Sequence, residues 1–262
     1  STGTGNVAVG WSALDAATTA TNNTGVGYGA LGSTTTGGAN TAVGYGALDS
    51  NTTGAQNVAV GYNALTAATT GNFNIAMGHE ALDAITTGSN NIAIGQSAMS
   101  TNTADNNTAI GHNAMLINST GTGNVALGAY TLDANTTASY NVAIGYTAMG
   151  ASTTGAGNVA VGYGSLVANT TAAYNTALGY QTLYTNTTGT ENIGLGHNAL
   201  LSNTTGSYNT AVGGLALDAN TTADNNTAVG YGSLGANTTG SSLVDVGYTA
   251  LSANTTATYN TA

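Results

Sequence analysis

The chain of 262 residues contains no lysine, arginine, proline or cysteine, and its acidic residues leave a formal charge of −10. Because no cation is available to neutralise phosphate, the composition argues against nucleic-acid binding and against attachment to anionic lipid headgroups. The absence of cysteine excludes disulfides and cysteine-based zinc or redox sites. Only 4% of the residues are charged, so neutral Thr, Asn and Ser side chains must cover the surface.

Long apolar stretches and leader-like segments are also missing. No run approaches the roughly 20 apolar residues of a membrane-spanning helix, and no basic segment precedes an apolar run as in a secretory signal. The sequence begins at Ser1 and stops at Ala262, both within a repeat. We therefore expect it to be an excerpt of a longer fibre protein.

A glycine follows a short apolar run at intervals of 17 residues, with one interval of 16 between Gly95 and Gly111. This regularity predicts that residues 1–262 form a single repeat array, without a linker or a second domain. The marker glycines are Gly10, Gly27, Gly44, Gly61, Gly78, Gly95, Gly111, Gly128, Gly145, Gly162, Gly179, Gly196, Gly213, Gly230 and Gly247.

One unit reads Asn-Thr/Val/Ile-Ala-Val-Gly-Tyr-x-Ala-Leu-x-x-Asn-Thr-Thr-Gly-x-x, and we number its positions one to seventeen. Seventeen residues are too few for a helical repeat, which needs about 33–47. Frequent glycine and β-branched residues oppose helix and favour short strands joined by turns. The sequence therefore predicts an all-β fold, a parallel β-solenoid of about fifteen 17-residue coils, each with two or three short strands.

Alternation along the first strand places positions two and four on one face and position three on the other. Position four is always a large apolar residue, so we expect that face to form the interior. Positions three and eight, which are nearly always small, are then predicted to point outward and pack against another chain. The predicted interchain packing strip is Ala8, Ala42, Ala59, Ala76, Ala93, Ala109, Ala126, Ala143, Ala160, Ala177, Ala211 and Ala228.

Two asparagine positions recur at the corners. Asn at position one is predicted to form a hydrogen-bonded ladder from coil to coil. The Asn-Thr-Thr corner matches the N-glycosylation acceptor pattern, but glycans could not crowd on consecutive coils, so we interpret it as a turn ladder. The acceptor-like residues are Asn51, Asn135, Asn169, Asn186, Asn203, Asn220, Asn237 and Asn254.

Position six is aromatic in most units. Its tyrosines form a candidate surface row that either grips sugars or surfaces by stacking, or shields the coil edges. His79, His112 and His197 occupy the same position several coils apart, so we interpret them as substitutes in the row and expect no metal site. The tyrosines are Tyr28, Tyr45, Tyr62, Tyr146, Tyr163, Tyr180, Tyr231 and Tyr248.

Catalytic and cofactor signals are weak. The aspartates at position ten are too sparse for the regular calcium-binding β-roll pattern, and no spacing forces a pair of carboxylates together for hydrolysis. No nucleophile has a nearby base in a known motif, so we predict neither an enzyme nor a cofactor. These aspartates are Asp15, Asp49, Asp83, Asp133 and Asp218.

The segment Asn40–Leu48, with the sequence Asn-Thr-Ala-Val-Gly-Tyr-Gly-Ala-Leu, resembles the head repeats of trimeric autotransporter adhesins. It is also similar to repeats of phage and bacterial tail-fibre proteins that end in a self-cleaving chaperone domain. The resemblance runs along the whole chain, although the adhesin unit is usually shorter. It implies a left-handed parallel β-roll, three chains packed side by side, and an outer surface that meets host or prey cells.

The expected function is therefore a structural or adhesive segment of an extracellular fibre, on a cell surface or a virion tail. Its expected partners are copies of itself in a homotrimer, and a cell-surface receptor or glycan, without membrane insertion by this segment. Two alternatives stay open. One is an ice-binding β-solenoid with stacked Thr rows, and the other is an extracellular filament that polymerises end to end through exposed strand edges.

Overall fold

The computed structural model describes residues 2–262, which form parallel three-residue strands joined by turns, one strand in each coil. The chain divides into two compact units, Ser1–Ala129 and Tyr130–Ala262. The described part of the chain contains no helix long and apolar enough to cross a membrane. The predicted β-solenoid is confirmed.

The first unit contains eight strands: β1 (Val7–Val9), β2 (Thr24–Val26), β3 (Thr41–Val43), β4 (Val58–Val60), β5 (Ile75–Met77), β6 (Ile92–Ile94), β7 (Thr108–Ile110) and β8 (Val125–Leu127). The second contains seven: β9 (Val142–Ile144), β10 (Val159–Val161), β11 (Thr176–Leu178), β12 (Ile193–Leu195), β13 (Thr210–Val212), β14 (Thr227–Val229) and β15 (Val244–Val246).

Within each unit, every strand pairs in parallel with the strand of the next coil, and each residue lies beside its equivalent one repeat later. In β4 and β5, for example, Ala59 aligns with Ala76. Backbone hydrogen bonds also join the turns, as where the Leu65 N–H donates to the carbonyl oxygen of Ala81 at 2.9 Å. Each coil is therefore bonded to its neighbours on the sheet side and on the opposite side.

Each coil contains one strand, so the prediction of two or three short strands per coil is wrong. Positions seven and nine have positive φ in the coil of β4, with +51° at Asn63 and +57° at Leu65. Position seventeen behaves in the same way, with +59° at Gln56. Left-handed residues turn the chain sharply, so the coil closes through turns around a single short strand.

The predicted interchain packing strip points the other way, into the coil. The alanines at position three are fully buried by their own chain, whereas positions two and four of the strands are outward. The small residues at position eight, such as Ala64, are buried too. The buried strip is Ala42, Ala59, Ala76, Ala93, Ala109, Ala126, Ala143, Ala160, Ala177, Ala211 and Ala228, and Ala8, in the first coil, is exposed.

The narrow interior explains this reversal. A Cβ added at Gly25, in position three, would lie 3.1 Å from the carbonyl oxygen of Ala30 and 3.6 Å from Cδ1 of Leu14. The leucines and methionines of position nine fill the remaining space, as predicted; Leu65 and Met99 are fully buried. A methyl group is therefore what fits at position three, and the larger side chains of position four face outward.

Two of the three exceptions at position three follow a larger side chain at position eight of the preceding coil, whereas Gly25 follows the usual alanine, Ala13. A Cβ at Gly194 would lie 2.5 Å from Cγ2 of Thr182, so the threonine occupies the space that an alanine fills elsewhere. Asp245 is fully buried, and the Ser233 hydroxyl donates to its Oδ2 at 2.5 Å. The irregular last strand therefore carries a polar pair inside the coil.

The asparagine ladder at position one is confirmed. The backbone N–H of Asn57 donates to Oδ1 of Asn40 at 2.9 Å, and Nδ2 of Asn57 donates to the same oxygen at 3.2 Å. The same Nδ2 also donates to the carbonyl oxygen of Gly71 across its own coil. Where Leu243 interrupts the ladder, its N–H still donates to Oδ1 of Asn226, so one of these bonds survives.

A second asparagine ladder runs through the Asn-Thr-Thr corners. Nδ2 of Asn203 donates to Oδ1 of Asn186 at 2.8 Å and to the carbonyl oxygen of Gly206 at 2.9 Å, as the turn-ladder interpretation predicted. An N-glycan can be attached only to an accessible side-chain amide. The buried asparagines of these corners therefore cannot be glycosylated in the folded coil. The buried acceptors are Asn51, Asn135, Asn169, Asn186, Asn203, Asn220 and Asn237; Asn254 is partly exposed.

Candidate functional site

The structure brings the predicted aromatic row together as stacks on the outside of each unit. In the first unit Trp11, Tyr28, Tyr45, Tyr62 and His79 stack in order, with ring centroids 4.7–5.2 Å apart and ring planes within 20°. The coil spacing of a parallel sheet, about 4.8 Å, sets these distances. Side chains two residues past the strand are therefore held in contact by the backbone register.

The second unit contains two shorter tyrosine stacks. The first is formed by Tyr146, Tyr163 and Tyr180, with centroids 5.8 and 5.3 Å apart. The second joins Tyr231 to Tyr248 at 5.7 Å. All eight tyrosines of the predicted row are exposed, by 45–78%. Because neighbouring rings cover one another's faces, they present mainly ring edges and hydroxyls to solvent, which favours shielding over sugar stacking.

The histidines of position six belong to this row. His79 stacks on Tyr62 at 5.2 Å, and a side chain added at Gly214 would run into the ring of His197. Within residues 2–262, no three His, Cys, Asp or Glu side chains come close enough to hold a metal ion together.

The main surface that the sequence analysis missed is the outward side of the strands. We call it the sheet face, and it consists of positions two and four in β1–β8 of the first unit and in β9–β15 of the second. All its side chains are Val, Ile, Leu, Met or Thr. Several are well exposed, as at Val43 (38%), Met77 (41%) and Leu195 (44%). Each unit therefore presents an apolar ribbon built on a regular parallel sheet.

The two threonine rows of the corners differ in their availability. At position thirteen the hydroxyl donates to the backbone of the next coil, as from Oγ1 of Thr52 to the carbonyl oxygen of Thr69 at 3.0 Å. At position fourteen the side chain is exposed, as at Thr53 and Thr70. One hydroxyl row per unit thus faces solvent.

Several carboxylates of position ten lean over glycines at the same position of a neighbouring coil. A Cβ added at Gly32 would lie 2.5 Å from Oδ1 of Asp49, and one at Gly150 would lie 3.3 Å from Oδ1 of Asp133. Burial against the coil raises the pKa of Asp49, Asp83, Asp133 and Asp218 above the ordinary value of 3.8. The cause is desolvation, which disfavours the charged form.

We expect acidification to stabilise this fold. A carboxyl group with a raised pKa in the folded state contributes stability that is fully present below the unfolded pKa and is lost as the pH rises through the folded pKa. Since the chain contains no Lys or Arg, no Lys or Arg salt bridge is broken by protonating the acids. The midpoint of thermal unfolding, followed by circular dichroism, should be higher at pH 3 than at pH 7.

The matched control is the quadruple variant Asp49→Asn, Asp83→Asn, Asp133→Asn and Asp218→Asn. Its unfolding midpoint should change less between pH 3 and pH 7, because the four groups no longer titrate. A lower midpoint at pH 3 in the unmodified chain would contradict the predicted sign. An unchanged pH response in the quadruple variant would assign the effect to other groups.

Comparison of the chain with protein-family models, with curated proteins and with solved structures found no match. The surfaces of the molecule that suggest a function are chiefly the sheet face and the tyrosine stacks.

Proposed function

We propose that this chain is a structural segment of an extracellular fibre that assembles laterally with two further copies of itself through the sheet face. The observation that carries the proposal is that face: a ribbon of uncharged, mostly apolar strand side chains, several of them well exposed. Contiguous exposed apolar patches on soluble proteins mark interaction sites when they exceed a few hundred Å².

The dimensions of the sheet face support this assignment. With strands about 4.8 Å apart and about 10 Å long, the eight-stranded face of the first unit covers roughly 350 Å² and the seven-stranded face of the second roughly 300 Å². Each face therefore has the few-hundred-Å² size at which an exposed apolar patch marks an interaction site.

A second copy of the chain fits this surface better than a charged partner. Every side chain on the face is uncharged, so bringing two such faces together desolvates no carboxylate. The repeat also gives all copies the same coil spacing, so side chains of one face can interdigitate with those of another along its length. The resemblance to adhesin and tail-fibre repeats supports three copies rather than two.

The test is the native mass measured by light scattering behind a sizing column, for the unmodified chain and two double variants. Val60→Glu with Val161→Glu places one charge on the sheet face of each unit. Thr53→Glu with Thr154→Glu adds the same charges on the exposed threonine row. We expect three chains in the unmodified protein and in the threonine variant, and a single chain in the valine variant, with circular dichroism unchanged in all.

A single-chain mass for the unmodified protein would contradict lateral assembly. Thermal hysteresis of its dilute solution would then support the ice-binding alternative. In that case the exposed threonine row at position fourteen of each unit would be the candidate ice-binding surface. A size distribution without an upper limit would instead support end-to-end polymerisation. Equal dissociation of both double variants would show that added charge, and not its place on the sheet face, disrupts the assembly.

A further inference from the structure

We propose that the tyrosine stacks are sites of oxidative coupling, where dityrosine bonds join neighbouring coils of one chain. The paired rings are Tyr28 with Tyr45, Tyr45 with Tyr62, Tyr146 with Tyr163, Tyr163 with Tyr180, and Tyr231 with Tyr248. This covalent modification is independent of lateral assembly, because each pair lies within a single chain.

The geometry of the stacks favours coupling. Ring centroids of the five pairs are 5.0–5.8 Å apart, and their planes differ by 7–15°. Equivalent positions of successive coils lie side by side, so the two phenol rings of each pair face one another and carry their ortho carbons on neighbouring rings. A radical formed on one phenol therefore has a reaction partner already in contact, without diffusion of a second chain.

The phenols are also accessible to an oxidant. Tyr45 is 50% exposed, and Tyr163 is 48% exposed. The oxidant that we name is hydrogen peroxide acting through a haem peroxidase. Two phenols each lose one electron and one proton, and the two radicals form a carbon–carbon bond between ortho positions. The ortho hydrogens then return to the oxygens, and peroxide takes up the two electrons and two protons to give two water molecules.

The same chain contains an internal comparison at position seventeen. Tyr140 and Tyr174 are more exposed than the stacked tyrosines, at 70% and 67%. They lie 34 residues apart, which is two coils or about 10 Å along a parallel sheet. Two coils therefore separate these two residues, which distinguishes the effect of exposure from that of stacking between adjacent coils.

Coupling would have a structural consequence. The stability of a repeat array depends on its nearest-neighbour interfaces, and coils at the ends of such arrays open most easily. A carbon–carbon bond between the position-six rings of adjacent coils prevents those two coils from separating during unfolding. We therefore expect the oxidised chain to unfold at a higher temperature than the untreated chain.

The experiment treats the dilute chain with hydrogen peroxide and a haem peroxidase, and measures dityrosine fluorescence and the intact mass of the denatured single chain. Tyr45→Phe with Tyr163→Phe and Tyr130→Phe keeps every ring but leaves one of the three stacks with adjacent tyrosines. Tyr130 is included because its ring lies edge-on to Tyr146 at 5.8 Å. Tyr140→Phe with Tyr174→Phe removes two phenols that are more exposed than the stacked ones, and it leaves all three tyrosine stacks unchanged. The single chain should lose two hydrogen atoms per link, and its dityrosine yield should fall about threefold in the first variant.

The second variant should give the yield of the unmodified chain. Peptide mapping should then assign the links to the five stacked pairs, after digestion by a protease that does not require Lys or Arg. Equal yields from the first variant and the unmodified chain would overturn the proposal. Links mapped mainly to position seventeen, or found mainly between chains, would overturn it as well.

Discussion

Replacing Ala59 by Asp is expected to unfold the coils around β4, whereas the same change at Val60, one residue along the strand, should leave the fold intact. Ala59 is fully buried and aligned with Ala42 and Ala76 in the coils on either side. A carboxylate there has no cation to pair with and no room for water. Leaving a buried charge uncompensated costs about 3–5 kcal/mol.

The Val60 variant is the matched control because it adds an identical charge to the same strand. Val60 lies on the sheet face, where a carboxylate of the single chain remains hydrated. At a chain concentration too low for lateral assembly, chemical unfolding followed by circular dichroism should give a much lower midpoint for Ala59→Asp and a nearly unchanged one for Val60→Asp. The reverse ranking would show that positions two and four, and not position three, point into the coil.

Asp245 shows what a carboxylate at position three requires. It is fully buried, but Ser233 replaces the usual alanine at position eight and donates a hydrogen bond to it. At the equivalent place beside Ala59 the chain has Leu48 and Ala47 in the preceding coil, and neither side chain can donate. The buried aspartate of the last strand therefore has at Oδ2 a hydroxyl donor that is lacking beside Ala59, while its Oδ1 accepts no hydrogen bond.

Much of the fold could be predicted from the repeat itself. A 17-residue period with glycine and Asn-Thr-Thr corners is too short for helices, and parallel stacking of identical units then places equal residues beside each other. This register is why the asparagine ladders and the tyrosine stacks could be predicted residue by residue. Both depend on which residue type occupies a given repeat position in successive coils, and this can be read from the sequence once the repeats are aligned.

The orientation of the strand could not be predicted by the usual preference for large apolar residues inside. That preference fails here because Leu65 and Ala64 already fill a coil whose interior admits a methyl group opposite them. The informative signal was volume: positions three and eight are both small in nearly every coil. The sheet face was missed for the same reason.

The missing second strand also had a signal in the sequence. Position seven is glycine in four coils, at Gly29, Gly46, Gly164 and Gly232, and all four have φ between +61° and +66°. Glycine recurring at one place in a repeat indicates a left-handed corner. Leu at position nine gives no such indication, because its burial outweighs the cost of about 1–2 kcal/mol for a left-handed backbone.

Replacing Gly78 by Ala is expected to destabilise the first unit strongly. Gly78, at position five, has a φ of +140°, which is strained for any L side chain. Its added Cβ would lie 2.5 Å from the carbonyl oxygen of Gly95 and 2.7 Å from its carbonyl carbon. These atoms belong to the backbone of the next coil and cannot move aside alone. Strain and overpacking together should cost about 3–6 kcal/mol.

The matched control is Gly29→Ala, at position seven of the same unit. Gly29 has a φ of +66°, a conformation that Asn63 adopts at this position in another coil. Its nearest contact for a Cβ is Oδ1 of Asp49 at 3.5 Å, so no backbone atom is displaced. Gly29→Ala should cost about 1–2 kcal/mol. Equal unfolding midpoints for the two variants would show that position five needs no glycine, and that coils at this edge are not packed backbone against backbone.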